Sequence, residues 1–365
     1  MAALVQRSAY SAFKQRITDK ACALRLPINC TFEVTHRCNL RCEHCYVPLG
    51  ERTVAQRRAS ELSADQFRSI IDQITDAGCL WIKLTGGEPF VRSDFMDLYL
   101  YARSRGMLVT LYTNATQITA KVVRLLVENP PELIEVSLYG SVPAVYEGLT
   151  RTPGSYTRCL RGIERLTDSG LPVLLKTPVT RHNVDDVAAL RALADRLGLD
   201  IIFNGDIVPR LDGDRDPLDM GIPAKASAEL ASDFIDCLLP GDEDMSAYLP
   251  DEEPGDRMFR CGAASDSFHV SADGGLHPCL LYQTPGFDLR VRSFEEGWKV
   301  FLDGIRNRRF PPNHPCVHCS HRPVCQNCPA KSRLINGDDQ SLVAFYCVKS
   351  EQLARNYLRP GTRSE

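Results

Sequence analysis

Glu33-Val34-Thr35-His36-Arg37-Cys38-Asn39-Leu40-Arg41-Cys42-Glu43-His44-Cys45-Tyr46 sets three cysteines within eight residues, directly after a segment, Cys30–Val34, with the composition of a β-strand. In a 365-residue chain with 15 cysteines, roughly 0.02 to 0.03 Cys-x3-Cys-x2-Cys triplets arise by chance, so the spacing is informative. Three thiolates on one short loop wrap a single metal centre and leave one coordination position for another donor. A closed zinc site would fill that position with His36 or His44. A [4Fe–4S] cubane would leave it as an open iron, available to a small molecule. On these residues alone both readings stand.

Beyond this loop, strand-like and helical segments alternate. The strands are expected at Leu80–Leu84, Leu108–Tyr112, Leu133–Leu138, Val173–Pro178 and Leu199–Phe203. Ser63 reads as the N-cap of a helix to Ala77 and Ser93 as the cap of one to Ser104, with further helices at Thr116–Glu128, Ser155–Ser169 and Val184–Leu197. Six such units fall short of a closed eight-stranded barrel, which takes ~250 residues. The expected fold class is therefore α/β: a partial (β/α)6 TIM-like barrel followed by a small cysteine-rich α+β domain. The boundaries are an N-terminal extension over 1–28, the barrel over 29–215, a linker and bridging helix over 216–260, and the cysteine-rich domain over 261–365. Within these, Ala224–Leu239 and Ser341–Leu358 read as helices, Gly241–Asp256 as an acidic linker, and Phe268–Leu281 as a hairpin around Asp273-Gly274-Gly275.

Composition narrows the class further. The chain is 44% hydrophobic and 24% charged, with a net charge of -3, so it has no general field to collect nucleic acid or anionic lipid. No apolar run approaches the ~20 residues of a membrane span, and the basic N-terminus lacks an apolar core segment. A cytoplasmic protein is expected, with no nucleic-acid or membrane partner. Without a secretory signal, the cysteines point to metal or redox chemistry before disulfides.

After the second strand comes Lys83-Leu84-Thr85-Gly86-Gly87-Glu88-Pro89. Paired glycines there let a ligand approach the backbone, and Glu88 offers an acceptor for an ammonium group; the plain alternative is a glycine turn. Together the two motifs resemble the radical S-adenosylmethionine superfamily. The resemblance implies that Cys38, Cys42 and Cys45 ligate a catalytic [4Fe–4S] cluster whose open iron chelates the methionine moiety of S-adenosylmethionine. It implies that Gly86, Gly87, Glu88 and Pro89 contact that methionine. One-electron reduction would then cleave the sulfonium to a 5′-deoxyadenosyl radical, which abstracts hydrogen from a substrate. Flavodoxin or ferredoxin would be the electron donor. Tyr46, Thr113, Asn114, Ser137 and Lys176, near strand ends, are candidate cofactor-pocket residues; packing and turn stabilisation are the alternatives.

The last ~105 residues hold Cys261-x12-Gly274-x4-Cys279, Cys316-x2-Cys319-x5-Cys325-x2-Cys328, and Cys347. This resembles the SPASM extension of radical S-adenosylmethionine enzymes that modify peptides, except that the fourth cysteine of the run follows after two residues where three are usual. The resemblance implies two auxiliary [4Fe–4S] clusters, one on Cys316, Cys319, Cys325 and Cys347, the other on Cys261, Cys279 and Cys328 with an open iron or a non-cysteine ligand. Cys237 is a further candidate ligand or a core cysteine. A zinc ribbon using His314, His318 and His321 is the alternative. Three clusters and S-adenosylmethionine are thus the expected cofactors. Cys22, Cys30, Cys79 and Cys159 fit no spacing and read as core residues.

Glu135-Val136-Ser137-Leu138-Tyr139-Gly140, with Tyr146-Glu147 and Thr152–Tyr156, resembles the subgroup that matures ribosomally made peptides by cross-linking, thioether formation, epimerisation or decarboxylation. The expected partners are a precursor peptide and, since only 28 residues precede Asn29, a separate leader-peptide-binding protein. Sulfatase-maturing relatives carry an acidic residue where this chain has Leu280. A radical dehydrogenase or deaminase of a small metabolite shares every motif and is the runner-up, alongside a sulfatase-maturation-like enzyme. Asp206 and Arg210, after the sixth strand, are candidate substrate contacts or an ordinary solvated loop pair.

Overall fold

The structure, a computed structural model, describes residues 2–48, 54–238 and 255–358. Of the expected linker Gly241–Asp256 only the last two residues are described, and the side chain of Cys237 also lies outside the described residues. The chain divides into two compact units, each discontinuous in sequence.

The first unit comprises Met1–Arg37, Thr53–Leu111 and Phe259–Arg308. It contains helix α1 (Ala2–Leu24), strand β1 (Asn29–Thr35), helices α2 (Val54–Ser60) and α3 (Ala64–Asp76), strand β2 (Trp81–Gly86), helix α4 (Phe95–Ser104) and most of strand β3 (Leu108–Thr113). In α3, Ser63 and Gln66 form a capping box, worth about 1 kcal/mol, and Phe67, Ile70, Ile71 and Ile74 recur at helical spacing to make a buried face. Phe67 packs on Phe32 of β1 at 4.7 Å between ring centroids, so the strand turns its Phe32 side to the helix and its Glu33 side away. The cap of α4 is Asp94 and not Ser93; the Asp94 carboxylate pairs with Arg92 at 2.8 Å and makes no cap bond.

β1 pairs in parallel with β2, and β2 with β3. On its other edge β1 pairs in parallel with β7 (Ser267–Val270), which turns through a hairpin into antiparallel β8 (Gly275–His277) and then β9 (Phe287–Asp288). The expected hairpin is present, and it extends the sheet of β1. Helices α10 (Phe294–Glu296) and α11 (Asp303–Arg306) follow it, separated by a π-helical turn.

The second unit comprises Cys38–Arg52, Tyr112–Met258 and Arg309–Glu365. Its strands β4 (Leu133–Ser137), β5 (Val173–Pro178) and β6 (Ile201–Asn204) are parallel. Between them run α5 (Ala120–Glu128), capped by Thr119, then α6 (Pro143–Thr150), α7 (Ser155–Thr167) and α8 (Val187–Leu197). Gly162 lets α7 press on the turn after β3, because a Cβ there would fall 2.0 Å from the Ala115 carbonyl oxygen. Helices α9 (Ala224–Leu238), α12 (Pro329–Asn336) and α13 (Ala344–Tyr357) complete the unit, with Ala228, Val324, Leu353 and Ala354 in one core. No described helix is long and apolar enough to cross a membrane.

Candidate functional site

In the first unit, β2 runs directly into the glycine turn. Gly86 has φ +142°, and a Cβ on it would lie 2.1 Å from the Thr35 carbonyl oxygen, so only glycine fits. The next two amides are tied down, Gly87 N–H to the Thr35 carbonyl at 2.8 Å and Glu88 N–H to the Arg37 carbonyl at 2.9 Å. Glu88 is fully buried and its carboxylate accepts from the Phe90 amide at 3.2 Å, capping the turn that begins at buried Pro89. The turn is thus fixed to the end of β1, the strand that leads into the cysteine loop.

Beside it lies a buried polar cluster that sequence reading passed over. Glu33, fully buried, faces His269 at 3.2 Å and His36 at 3.4 Å, and Gln283 reaches His269 at 3.4 Å. Burial alone would raise the Glu33 carboxyl, but the two histidines outweigh it and hold it far below the usual range. The one available signal was a glutamate between two apolar residues, Phe32 and Val34, in the middle of β1. Burial holds His277 down to about 4, so it is neutral at pH 7. Cys261 (exposed) and Cys279 (half-buried) also belong to this unit.

In the second unit, the loop 38–46 is held through its backbone: Arg41 N–H to the Thr150 carbonyl at 3.0 Å, Glu43 N–H to the Leu149 carbonyl at 3.2 Å, and Leu211 N–H to the Tyr46 carbonyl at 2.9 Å. Cys42 is buried; desolvation, then Cys45 and Cys38 beside it, push its thiol well above the ordinary value. Thiols crowded in this way oppose one another's ionisation and are stable as thiolates only around a cation, so the donor set fits an iron cluster. Two donors reach one of the sulfurs: the Leu40 amide lies 3.4 Å and Asn114 Nδ2 3.8 Å from Cys38 Sγ, while Tyr139 acts to lower the Cys42 thiol against its burial. Asn114 in turn bonds Asn39 at 3.0 Å and Asn39 bonds Thr116 at 2.7 Å, a network in which Asn39, Thr116 and Tyr139 had not been singled out. His44 packs edge-on against Tyr139 at 4.9 Å, and burial lowers it to about 4.

The remaining expected pocket residues divide. Thr113 is buried and accepts from the Ala115 amide at 3.0 Å, a turn role. Ser137 ends β4, and its side chain acts to lower the Tyr139 hydroxyl against the burial that raises it. Lys176 is paired with Glu135 and lies 3.2 Å from the Tyr112 hydroxyl. Burial opposes the Lys176 charge, but Tyr112 and Glu135 raise its pKa above the ordinary value, so it is a fixed cation. The two expected substrate contacts have other partners. Arg210 is 4% exposed; it bonds Asp214 at 2.6 Å and the Glu43 carbonyl at 3.2 Å, bracing the cysteine loop. Asp206 bonds Lys331 at 3.0 Å, Lys349 at 2.5 Å and Ser227 at 3.1 Å. Burial would raise the Asp206 carboxyl, and the two lysines hold it below the usual range instead. In each case a buried charge takes partners that the fold supplies.

Cys316, Cys319, Cys325 and Cys347 line one cavity of about 100 Å³. Desolvation, then Cys325, push Cys316 up to about 11. Among the described residues no three His, Cys, Asp or Glu side chains are gathered to hold a single metal ion. These four thiols surround a space, which suits a cubane. His314 and His318 engage the carbonyls of Gln340 and Pro312 at 2.8 and 2.9 Å. Cys328, the N-cap of α12, is not among the residues lining this cavity. Cys30, Cys79 and Cys159 are buried, as expected of core residues, and Cys22 is half-buried.

Comparison with known proteins matches residues 32–194 to the Radical SAM superfamily. The chain is similar to an AdoMet-dependent heme synthase of Nitratidesulfovibrio vulgaris, 26% identical over 84% of this chain and 88% of that protein. It is similar to the mycofactocin maturase MftC of Mycolicibacterium smegmatis, 35% identical over 48% of this chain and 43% of that one. Among solved structures it resembles Streptococcus suis SuiB bound to the precursor peptide SuiA, with a TM-score of 0.68 at 16% identity, over 92% of this chain and 81% of that chain. The likeness shows the fold expected from the sequence, an α/β partial barrel with a C-terminal extension.

Proposed function

We propose that this chain, whose residues 32–194 match the Radical SAM superfamily, is a radical S-adenosylmethionine maturase that oxidatively modifies a ribosomally made peptide. The observation that carries the reading is the pairing of one open three-thiol loop with a separate four-thiol cavity. A cluster on Cys38, Cys42 and Cys45 supplies reductive cleavage of S-adenosylmethionine when bound. The chain's own residues hold that chemistry in place. Arg210 and the Thr150 and Leu149 carbonyls fix the loop, while Asn114 donates to the Cys38 sulfur. Glu88 and the glycine turn are assigned to the methionine ammonium and backbone contacts. Cys316, Cys319, Cys325 and Cys347 are assigned to one auxiliary cluster, and Cys261, Cys279 and Cys328 to a second. The maturase MftC and the peptide-bound SuiB support a peptide substrate; an electron donor such as flavodoxin and a separate leader-binding protein complete the proposal.

One observation favours a second reading, a heme precursor as substrate: the likeness to the heme synthase spans 84% of the chain, whereas that to MftC spans 48%. Incubation of anaerobically reconstituted protein with S-adenosylmethionine, reductant and peptides encoded beside it decides between them. A mass change in a peptide, with 5′-deoxyadenosine formed in step, is expected. A change in the absorption of an added heme precursor with every peptide unaltered overturns the peptide reading.

A further inference from the structure

Arg322 stands among the residues that line the four-thiol cavity, and it is 4% exposed. Its guanidinium donates to the carbonyl of Cys316 at 2.6 Å and to that of Arg257, and lies 5.3 Å from the centre of the Phe310 ring. The charge is therefore held in one place by two carbonyls and an aromatic face, with one of those carbonyls on a thiol-bearing residue. Burial lowers the pKa of this arginine, while Cys316, Cys325 and Cys319, and then Asp256, act in the opposite sense. Arginine remains charged under such conditions, so a permanent cation adjoins the thiols.

We propose that Arg322 is a positioning residue that sets the reduction potential of the cluster held by Cys316, Cys319, Cys325 and Cys347. The inference rests on the reading that these cysteines hold a [4Fe–4S] cluster. Four thiolates give such a cluster net negative charge, and reduction adds more. A fixed cation in the surrounding low dielectric stabilises the reduced state more than the oxidised one and raises the potential. Charge is the operative property; the donor geometry toward Cys316 is secondary.

The test is an EPR-monitored redox titration of the full-length, anaerobically reconstituted protein, with iron content measured on each sample. A variant with Cys316→Ala and Cys319→Ala identifies which signal belongs to this cluster. Arg322→Gln should keep its iron and lower the midpoint, reducing the ratio of reduced to oxidised cluster at fixed potential about tenfold, which is about 59 mV for one electron. Arg322→Lys should restore most of the shift. An unchanged midpoint in Arg322→Gln with full iron overturns the proposal and leaves the cluster assignment intact. Full iron in the double cysteine variant overturns the cluster assignment itself. Should Arg322→Gln lose the cluster, Arg322→Lys decides alone: a midpoint near the parent's supports the role of charge, and a tenfold fall in the same ratio overturns it.

Discussion

The loop that carries Cys38, Cys42 and Cys45 and the cavity lined by Cys316, Cys319, Cys325 and Cys347 are built in opposite ways. The first is local: its thiols lie within eight residues, crowd one another, and are held by backbone bonds to the end of α6 and by Arg210. The second is assembled: two cysteines come from a turn near 315–319, one follows a second turn at Arg322–Val324, and one lies in the first turn of α13. A local site keeps its geometry when distant structure changes. An assembled site exists only while its scaffold does, so metal binding there is coupled to folding.

The largest effect should come from the local site. Replacing Cys38, Cys42 and Cys45 together by alanine should remove about four irons per chain and abolish 5′-deoxyadenosine formation, read by iron assay and chromatography. Continued formation would break the assignment. Cys316→Ala with Cys347→Ala should also remove about four irons, yet leave cleavage of S-adenosylmethionine running while the modified product disappears. Its melting temperature should fall, because α13 loses its tether. Product at the parental rate with that iron gone would make the extension a passive cover.

Asp206→Asn tests the scaffold of the assembled site. It strands Lys331 of α12 and Lys349 of α13 without their carboxylate, and removing one partner of a buried ion pair costs about 3–5 kcal/mol. Iron should then be lost from the four-thiol cavity and kept in the loop. The pH dependence has a definite sign. The folded Asp206 pKa is depressed, so its contribution is present above the unfolded value of about 4 and is lost as pH falls through the folded value. Chemical denaturation of the variant should lack that acid limb. The smallest effect is expected from Asn114→Ala, which removes one donor to Cys38: about 1 kcal/mol, or roughly fivefold in the cleavage rate, with iron unchanged. Loss of the loop's iron in that variant would show the local site to be less self-sufficient than its construction implies.

The local site was also the more legible of the two. The alternation of β-rich with helical segments placed all six strands of the βα series, and β5 matches at both ends. Ser63 was readable as a cap because its partner Gln66 stands three residues away. Ser93 misled because Asp94, one residue on, holds the cap position while its carboxylate turns to Arg92. Helix α1 was missed because its apolar residues form no continuous stripe. Asp206 and Arg210 were singled out along the chain without the partners that the fold gives them. The lysines of Asp206 lie 125 and 143 positions away, and no local pattern encodes such a meeting. Glu33 carried a signal in its own right, a carboxylate between Phe32 and Val34 in a strand, but its partner His269 comes 236 positions later.

The pairing of β1 with β7 bears on the order of events during synthesis. Asn29 bonds to Asp266 across 237 positions, at the start of the parallel ladder between the two strands. A ribosome adding ~5–20 residues per second leaves that edge of β1 unpaired for roughly ten to fifty seconds. In that interval the strand leading into the cysteine loop presents open amides and carbonyls, a surface that recruits other chains. Truncated products that end before the hairpin has emerged would therefore be the sticky ones.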